Sequence, residues 1–177
     1  MQKVLLLLLY IAFFTSCKST SRVRASRNKA PETVNKNIRD SSKIFTLQDS
    51  IIQYAKSFEG VQYKWGGTTQ SGMDCSGLIY ESFREHHIYL PRISRDMAKK
   101  GKKVNIKNVQ EGDLLFFKTG KSKRQAINHV GLVVEVAHDG IKFIHATNRN
   151  GVIITRLSES YWSSAFQEAR RYLSPKL

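Results

Sequence analysis

From Thr46 onward, apolar side chains recur first with helical spacing and then in short runs and alternations. Leu47, Ile51, Tyr54, Ala55 and Phe58 fall on one face of a helix. Thr46 and Asp49, three residues apart, form a capping pair at its start, and Gly60 supplies the stop. A short aromatic piece, Val61 to Gly67, leads into a loop between Gly66 and Gly72. Cys75, Leu78, Ile79 and Phe83 then resume the 3.6-residue rhythm. They predict a second helix reaching His86 or His87, two histidines read as surface residues, with Pro91 ending that region. Ser94 is read as the cap of a short helix through Lys99, stopped by Gly101. Lys99, Lys100, Lys102 and Lys103 are read as a solvated face.

The pattern changes at Gly112. Leu114 to Phe117 is an apolar run bounded by turn residues, and residues 118–124 form a polar, basic loop. His129 to Val136 reads as a long strand. Asp139-Gly140 is a hairpin signal that returns the chain through Ile141 to Ala146. Asn150-Gly151 is a second such turn, followed by Val152 to Ile154. Tyr161, Trp162 and Phe166 are expected to cover the sheet, and residues 169–173 to close it. No repeat of 20–50 residues is present. Helices followed by an antiparallel meander predict an α+β domain over residues 46–177.

The first 45 residues have another character. Lys3 precedes an apolar run from Val4 to Phe14, and the small residues Thr15 and Ser16 precede Cys17. The run is short of the roughly 20 residues that span a bilayer and has the shape of a secretory signal over residues 1–16. The segment resembles a bacterial lipobox, with Phe14 where leucine is most usual. The resemblance implies that Cys17 is lipidated; an ordinary signal peptide is the alternative. Residues 18–45 are rich in Arg, Lys, Ser and Asn and read as a flexible tether. Its charge either favours anionic headgroups or simply keeps an exported linker soluble. The expected location is the bacterial cell envelope, anchored by lipid at the outer membrane and facing the periplasm.

Over all 177 residues the net charge is +15, with 41% hydrophobic residues. So basic a chain is drawn to membranes, cell-wall polymer or nucleic acid. The export signal, and the lack of paired zinc cysteines, a phosphate loop or an RNA-reading aromatic motif, argue against nucleic acid.

Candidate chemistry centres on Cys75. A cysteine in the first turn of a helix meets unpaired backbone N–H groups and the positive end of the helix dipole, which favour a thiolate. A buried, inert cysteine is the plain alternative. His129 and His145 lie in strand-like segments that the Asp139-Gly140 hairpin brings side by side, with Phe143 and His145 on one face and Ile144 on the other. Cys75 as nucleophile, His129 as base and His145 orienting it form one reading. Three ligands for zinc form another.

Tyr63-Lys64-Trp65-Gly66-Gly67, Asp74-Cys75-Ser76-Gly77-Leu78, Gly112-Asp113-Leu114, His129-Val130-Gly131 and Phe143-Ile144-His145-Ala146 stand in one order across Leu47 to Leu173. In that order the chain resembles the NlpC family of cell-wall cysteine peptidases. The resemblance implies a papain-like fold with Cys75 as nucleophile, His129 as base and acid, and His145 as the third polar member. It implies that Tyr63 helps stabilise the oxyanion. Asp74 and Ser76 would contact the substrate's amino end, with helix capping an equal alternative for Asp74. The implied substrate is the peptidoglycan stem peptide, cut between D-γ-glutamate and a diamino acid by a monomer that needs no cofactor or metal. An amidase or acyltransferase on the same scaffold, and a non-catalytic wall-binding lipoprotein, are the alternatives.

Overall fold

The computed structural model describes residues 45–120 and 126–173. The signal segment, Cys17 and the tether up to residue 44 lie outside the described residues, as do residues 121–125 of the polar loop. Among the described residues no helix is long and apolar enough to cross a membrane.

Helix α1 (Leu47–Lys56) opens with the expected capping box: the Thr46 hydroxyl accepts from the Asp49 N–H, and the Asp49 carboxylate accepts from the Thr46 N–H. The expected loop contains two short strands, β1 (Thr68–Thr69) and β2 (Gly72–Met73). Helix α2 (Cys75–Arg84) begins at the nucleophile candidate but stops before His86. His87 takes φ +60°, and the Ile88 N–H reaches back to the Phe83 carbonyl, so the chain leaves the helix through a left-handed residue. His86 is only half-exposed, its ring edge-on to Tyr54. Helix α3 (Ser94–Met97) is one turn long. Ser94 is its first residue rather than its cap, and Ile93 occupies the cap position without a side-chain bond.

Six strands form one antiparallel sheet: β3 (Lys102–Val104), β4 (Leu114–Phe117), β5 (His129–Ala137), β6 (Gly140–Thr147), β7 (Gly151–Arg156) and β8 (Phe166–Arg171), in the order β3-β8-β4-β5-β6-β7. Lys102 and Lys103, read as a solvated face, do expose their side chains. Their backbone nevertheless pairs with Arg171 and Arg170. Helix α4 (Ser160–Ala165) lies between β7 and β8.

Alternation along the strands divides the core in two. Leu114, Phe116, Val130, Leu132, Ile144 and Val152 pack with α1, α2 and Met97 on one face. Leu115, Phe117, Val133, Phe143 and Ala169 pack with Trp162 and Ala165 of α4 on the other. The Trp162 ring meets Phe117 edge-on at 5.2 Å and Phe143 at 5.5 Å. Trp162 and Phe166 thus cover the sheet as expected, whereas Tyr161 stays largely exposed. Gly131 makes room for this layer, since a Cβ there would sit 2.4 Å from the Phe143 ring.

Asp113, buried before β4, takes a two-pronged bond from Arg171 of β8 at 2.8 and 2.7 Å and also accepts the Gln110 N–H. Removing one partner of such a pair leaves a buried charge uncompensated. Arg171→Met is expected to cost roughly 3 kcal/mol of stability, read by denaturant titration. A midpoint equal to that of the wild type would show that water replaces the guanidinium.

Candidate active site

The site forms where the N-terminus of α2 meets the start of β5. Asp74 caps α2 by accepting from the Gly77 N–H at 2.6 Å, and also accepts the Gly66 N–H at 2.8 Å. Arg92 grips the same carboxylate with both nitrogens, at 2.9 and 3.0 Å. Its guanidinium also donates to Ser76 Oγ at 3.0 Å and to the Gly67 carbonyl at 3.3 Å, while Ser76 Oγ donates to Asp74 Oδ1 at 3.2 Å. Burial alone would raise the Asp74 pKa, but the Arg92 fork and the Gly77 and Gly66 N–H groups outweigh it and hold the carboxyl below its usual range. Asp74 is therefore a charged knot tying the 66–67 loop, the first turn of α2 and Arg92 together. Asp74 and Ser76 both line the cavity, with their polar atoms already engaged by these protein groups.

Cys75 is a free thiol, nearly buried. The backbone N–H groups of Val130, Ser76 and Cys75 favour its thiolate, yet burial, reinforced by the Asp74 charge, wins and pushes the thiol up to about 11. The helix terminus favours a thiolate, and burial in the packed cavity opposes it. The Val130 interaction sets the sulfur against the backbone next to His129.

His129, the first residue of β5, joins His145 of β6 through a 2.9 Å bond between Nε2 and Nδ1. His145 Nε2 meets Thr155 Oγ1 of β7 at 2.8 Å. His129, with its Nε2 spent on His145, lines the same cavity as Cys75. His129 and His145 spend a nitrogen each on one another and so form a line with Thr155. Among the described residues no group of three or more potential ligand side chains is arranged to hold a metal ion. The indole of Trp162 lies 5.2 Å from the His129 ring and 4.5 Å from the His145 ring, shielding the pair.

Burial lowers the His129 pKa to about 4; burial, with His129 beside it, lowers that of His145 to about 2. Both rings are neutral at pH 7, as a general base must be. The sign for stability follows. These pKa values lie below the ordinary 6.5, so as pH falls from 6.5 the unfolded chain binds protons that the folded chain refuses. Stability is fully present above pH 6.5 and is lost as pH falls through about 4 and then about 2. The expected loss between pH 7 and pH 4 is on the order of 3 kcal/mol for each ring, and a His129→Phe, His145→Phe double variant should show a shallower acid slope by denaturant titration. An unchanged slope would place the acid sensitivity elsewhere.

Tyr63 reaches the site from a single bridge to Met73. Burial, then the nearby Cys75 and Asp74, raise its pKa, so its hydroxyl keeps its proton and can donate. A cavity of about 1160 Å³ opens over these groups, its walls including Tyr63, Trp65, Cys75, His129, Arg149 and Tyr161. The structure thus brings Cys75, His129, His145, Tyr63, Asp74 and Ser76 to one cavity region; Cys17 lies outside the described residues. Arg92 and Thr155 escape a reading of the sequence, which sees Trp162 only as cover for the sheet. Arg92 and Thr155 carry no spacing signal, and Thr155 becomes visible only once Ile153 is set opposite His145.

The model of the NlpC/P60 family matches residues 60–171, from the end of α1 to the end of β8. The chain belongs to the NlpC/P60 family. This NlpC/P60 chain is 36% identical over 156 residues to the murein DD-endopeptidase MepS/murein LD-carboxypeptidase of Escherichia coli strain K12, covering 88% of this chain and 74% of that protein. It is 38% identical over 128 residues to the gamma-D-glutamyl-L-lysine dipeptidyl-peptidase of Bacillus subtilis, covering 71% and 41% respectively. The crystal structure of an NlpC/P60 family protein from Bacillus cereus superposes with a TM-score of 0.65 at 32% identity, covering 73% of this chain and 41% of that one. The chain therefore spans about two fifths of that solved protein.

Proposed function

We propose that this NlpC/P60 protein is a cysteine peptidase that cleaves the stem peptides of peptidoglycan. The observation that carries the reading is that Cys75, at the first turn of α2, and His129, bonded to His145, line one open cavity. Cys75 attacks the scissile carbonyl while its proton passes to His129 Nδ1, because the separate ions are disfavoured where both groups are buried. The oxyanion is held by the Tyr63 hydroxyl and the Cys75 N–H. His129 then gives the proton to the leaving amine as the C–N bond breaks. Water, deprotonated by His129, releases the acid from the thioester.

The bond we propose is that between D-γ-glutamate and the diamino acid, which fits the relatedness to the B. subtilis enzyme whose name specifies a gamma-D-glutamyl-L-lysine bond. A second reading, a D,D cross-link, is favoured by the similarity to E. coli MepS. Lys3, the apolar run to Phe14 and Cys17 support export and lipid anchoring at the outer membrane, where the protein would act as a monomer on the wall.

Mass spectrometry of purified peptidoglycan incubated with the protein, and with protein alkylated at its thiol, tests the reading. New fragments ending in γ-glutamate, absent after alkylation, are expected. Fragments with freed D-alanine ends instead would assign the D,D bond. Intact wall from a folded protein would overturn the peptidase reading.

A further inference from the structure

Two arrangements of protons suit the line Cys75, His129, His145, Thr155. In the first, each ring carries its proton on Nε2. His129 then donates to His145 Nδ1, His145 donates to Thr155 Oγ1, and His129 Nδ1 is a bare lone pair able to take the thiol proton. In the second, every bond is reversed. The Thr155 hydroxyl donates to His145 Nε2, His145 Nδ1–H donates to His129 Nε2, and His129 carries its proton on Nδ1, where it cannot act as the base. The heavy atoms are the same in both, at 2.9 and 2.8 Å. His145 has no solvent contact, and both of its nitrogens are committed to this line, so the direction is set at the ends.

At the inner end, Thr155 Oγ1 stands 2.8 Å from the buried His145 Nε2 and can accept a hydrogen bond from it. Thr155 is itself nearly buried but borders the cavity, so its own proton can turn toward water there. At the outer end, the reversed line would put a proton on His129 Nδ1 and leave the ring without the lone pair that a base facing the cavity of Cys75 needs. Both ends favour the first arrangement. We propose that Thr155 is a positioning residue that accepts from His145 Nε2–H and so holds both imidazoles in the tautomer in which His129 can act as base. Thr155 acts through His145, to which it is bonded, rather than on the reacting atoms. During attack the thiol proton arrives at His129 Nδ1, and the Nε2–H stays donated to His145. The added proton leaves from Nδ1 to the amine, so none needs to pass through Thr155.

The assignment rests on the reading of Cys75 and His129 as nucleophile and base. It is tested on the full chain labelled with ¹⁵N-histidine, together with steady-state cleavage of peptidoglycan by Thr155→Val and Thr155→Ser. The expected wild-type spectrum shows both rings protonated at Nε2. Thr155→Val should lower kcat by roughly 10–100-fold with KM unchanged, and His145 should shift toward the Nδ1–H form. Thr155→Ser, which keeps the oxygen, should restore both. A wild-type spectrum with His145 protonated at Nδ1 would overturn the assignment, and needs no variant to fold. So would a folded Thr155→Val protein with wild-type kcat and tautomer. Undiminished cleavage by Cys75→Ala would instead sink the peptidase reading, leaving the spectrum as a separate record of the tautomer.

Discussion

Alanine at Cys75 is expected to abolish peptidoglycan cleavage, by roughly 10⁵-fold or more, while the domain stays folded. The thiol stands at the first turn of α2 in the cavity that His129 also lines, and two of the hydroxyls lining it are already engaged. Ser76 Oγ is tied to Asp74 and Arg92, and Thr155 Oγ1 lies behind His145. Cys75→Ser should fare little better. A serine hydroxyl is a much weaker acid than a thiol and a poorer nucleophile at neutral pH, so the attack that forms the acyl-enzyme slows. Losing one small, nearly buried group should cost no more than about 1 kcal/mol of stability. Fragment release measured beside thermal melting separates the outcomes: a stable, active Cys75→Ala protein would place the nucleophile elsewhere.

The second large effect is expected at Gly77, one turn into the nucleophile helix. An added Cβ would lie 2.0 Å from the Gly67 carbonyl oxygen, 3.0 Å from Asp74 Oδ1 and 3.1 Å from Arg92 Nη2. Alanine favours helix by about 1 kcal/mol over glycine, and that gain opposes the clash. The clash wins, because the first atom met is backbone oxygen and the others belong to the Asp74–Arg92 knot. Gly77→Ala is expected to destabilise by about 4 kcal/mol, lowering Tm by on the order of 10 °C. Activity should fall as well, because the displaced 66–67 loop is continuous with Tyr63. A Tm equal to that of the wild type would show that the loop yields freely.

Local chemistry made part of this legible. The Thr46–Asp49 box, the Asp139-Gly140 and Asn150-Gly151 turns and the apolar face of α2 each depend on residues within a few positions of one another. They appear at or near where the sequence puts them. So does the shared face of Phe143 and His145, whose rings lie 4.6 Å apart. What stayed hidden depends on distant partners. Lys102 to Val104 carries no strand signal of its own and becomes a strand because β8 offers an open edge. Arg171 and Arg92 look like two more surface cations until Asp113 and Asp74 are found against them, 58 and 18 residues away. The state of the thiol was also hidden. A helix terminus is readable from sequence, but the burial that outweighs it at Cys75 is a property of the packed cavity.

The place of β8 in the sheet bears on when the enzyme can come into being. Residues 166–171 are the last strand among the described residues, yet they lie between β3 and β4, and Arg171 supplies the counter-charge to Asp113. A growing or truncated chain that lacks them has all the residues of the catalytic line but cannot join β3 to β4. It also leaves Asp113 without its cation. The sheet that carries the base is therefore closed by residues that follow the nucleophile and both histidines in sequence.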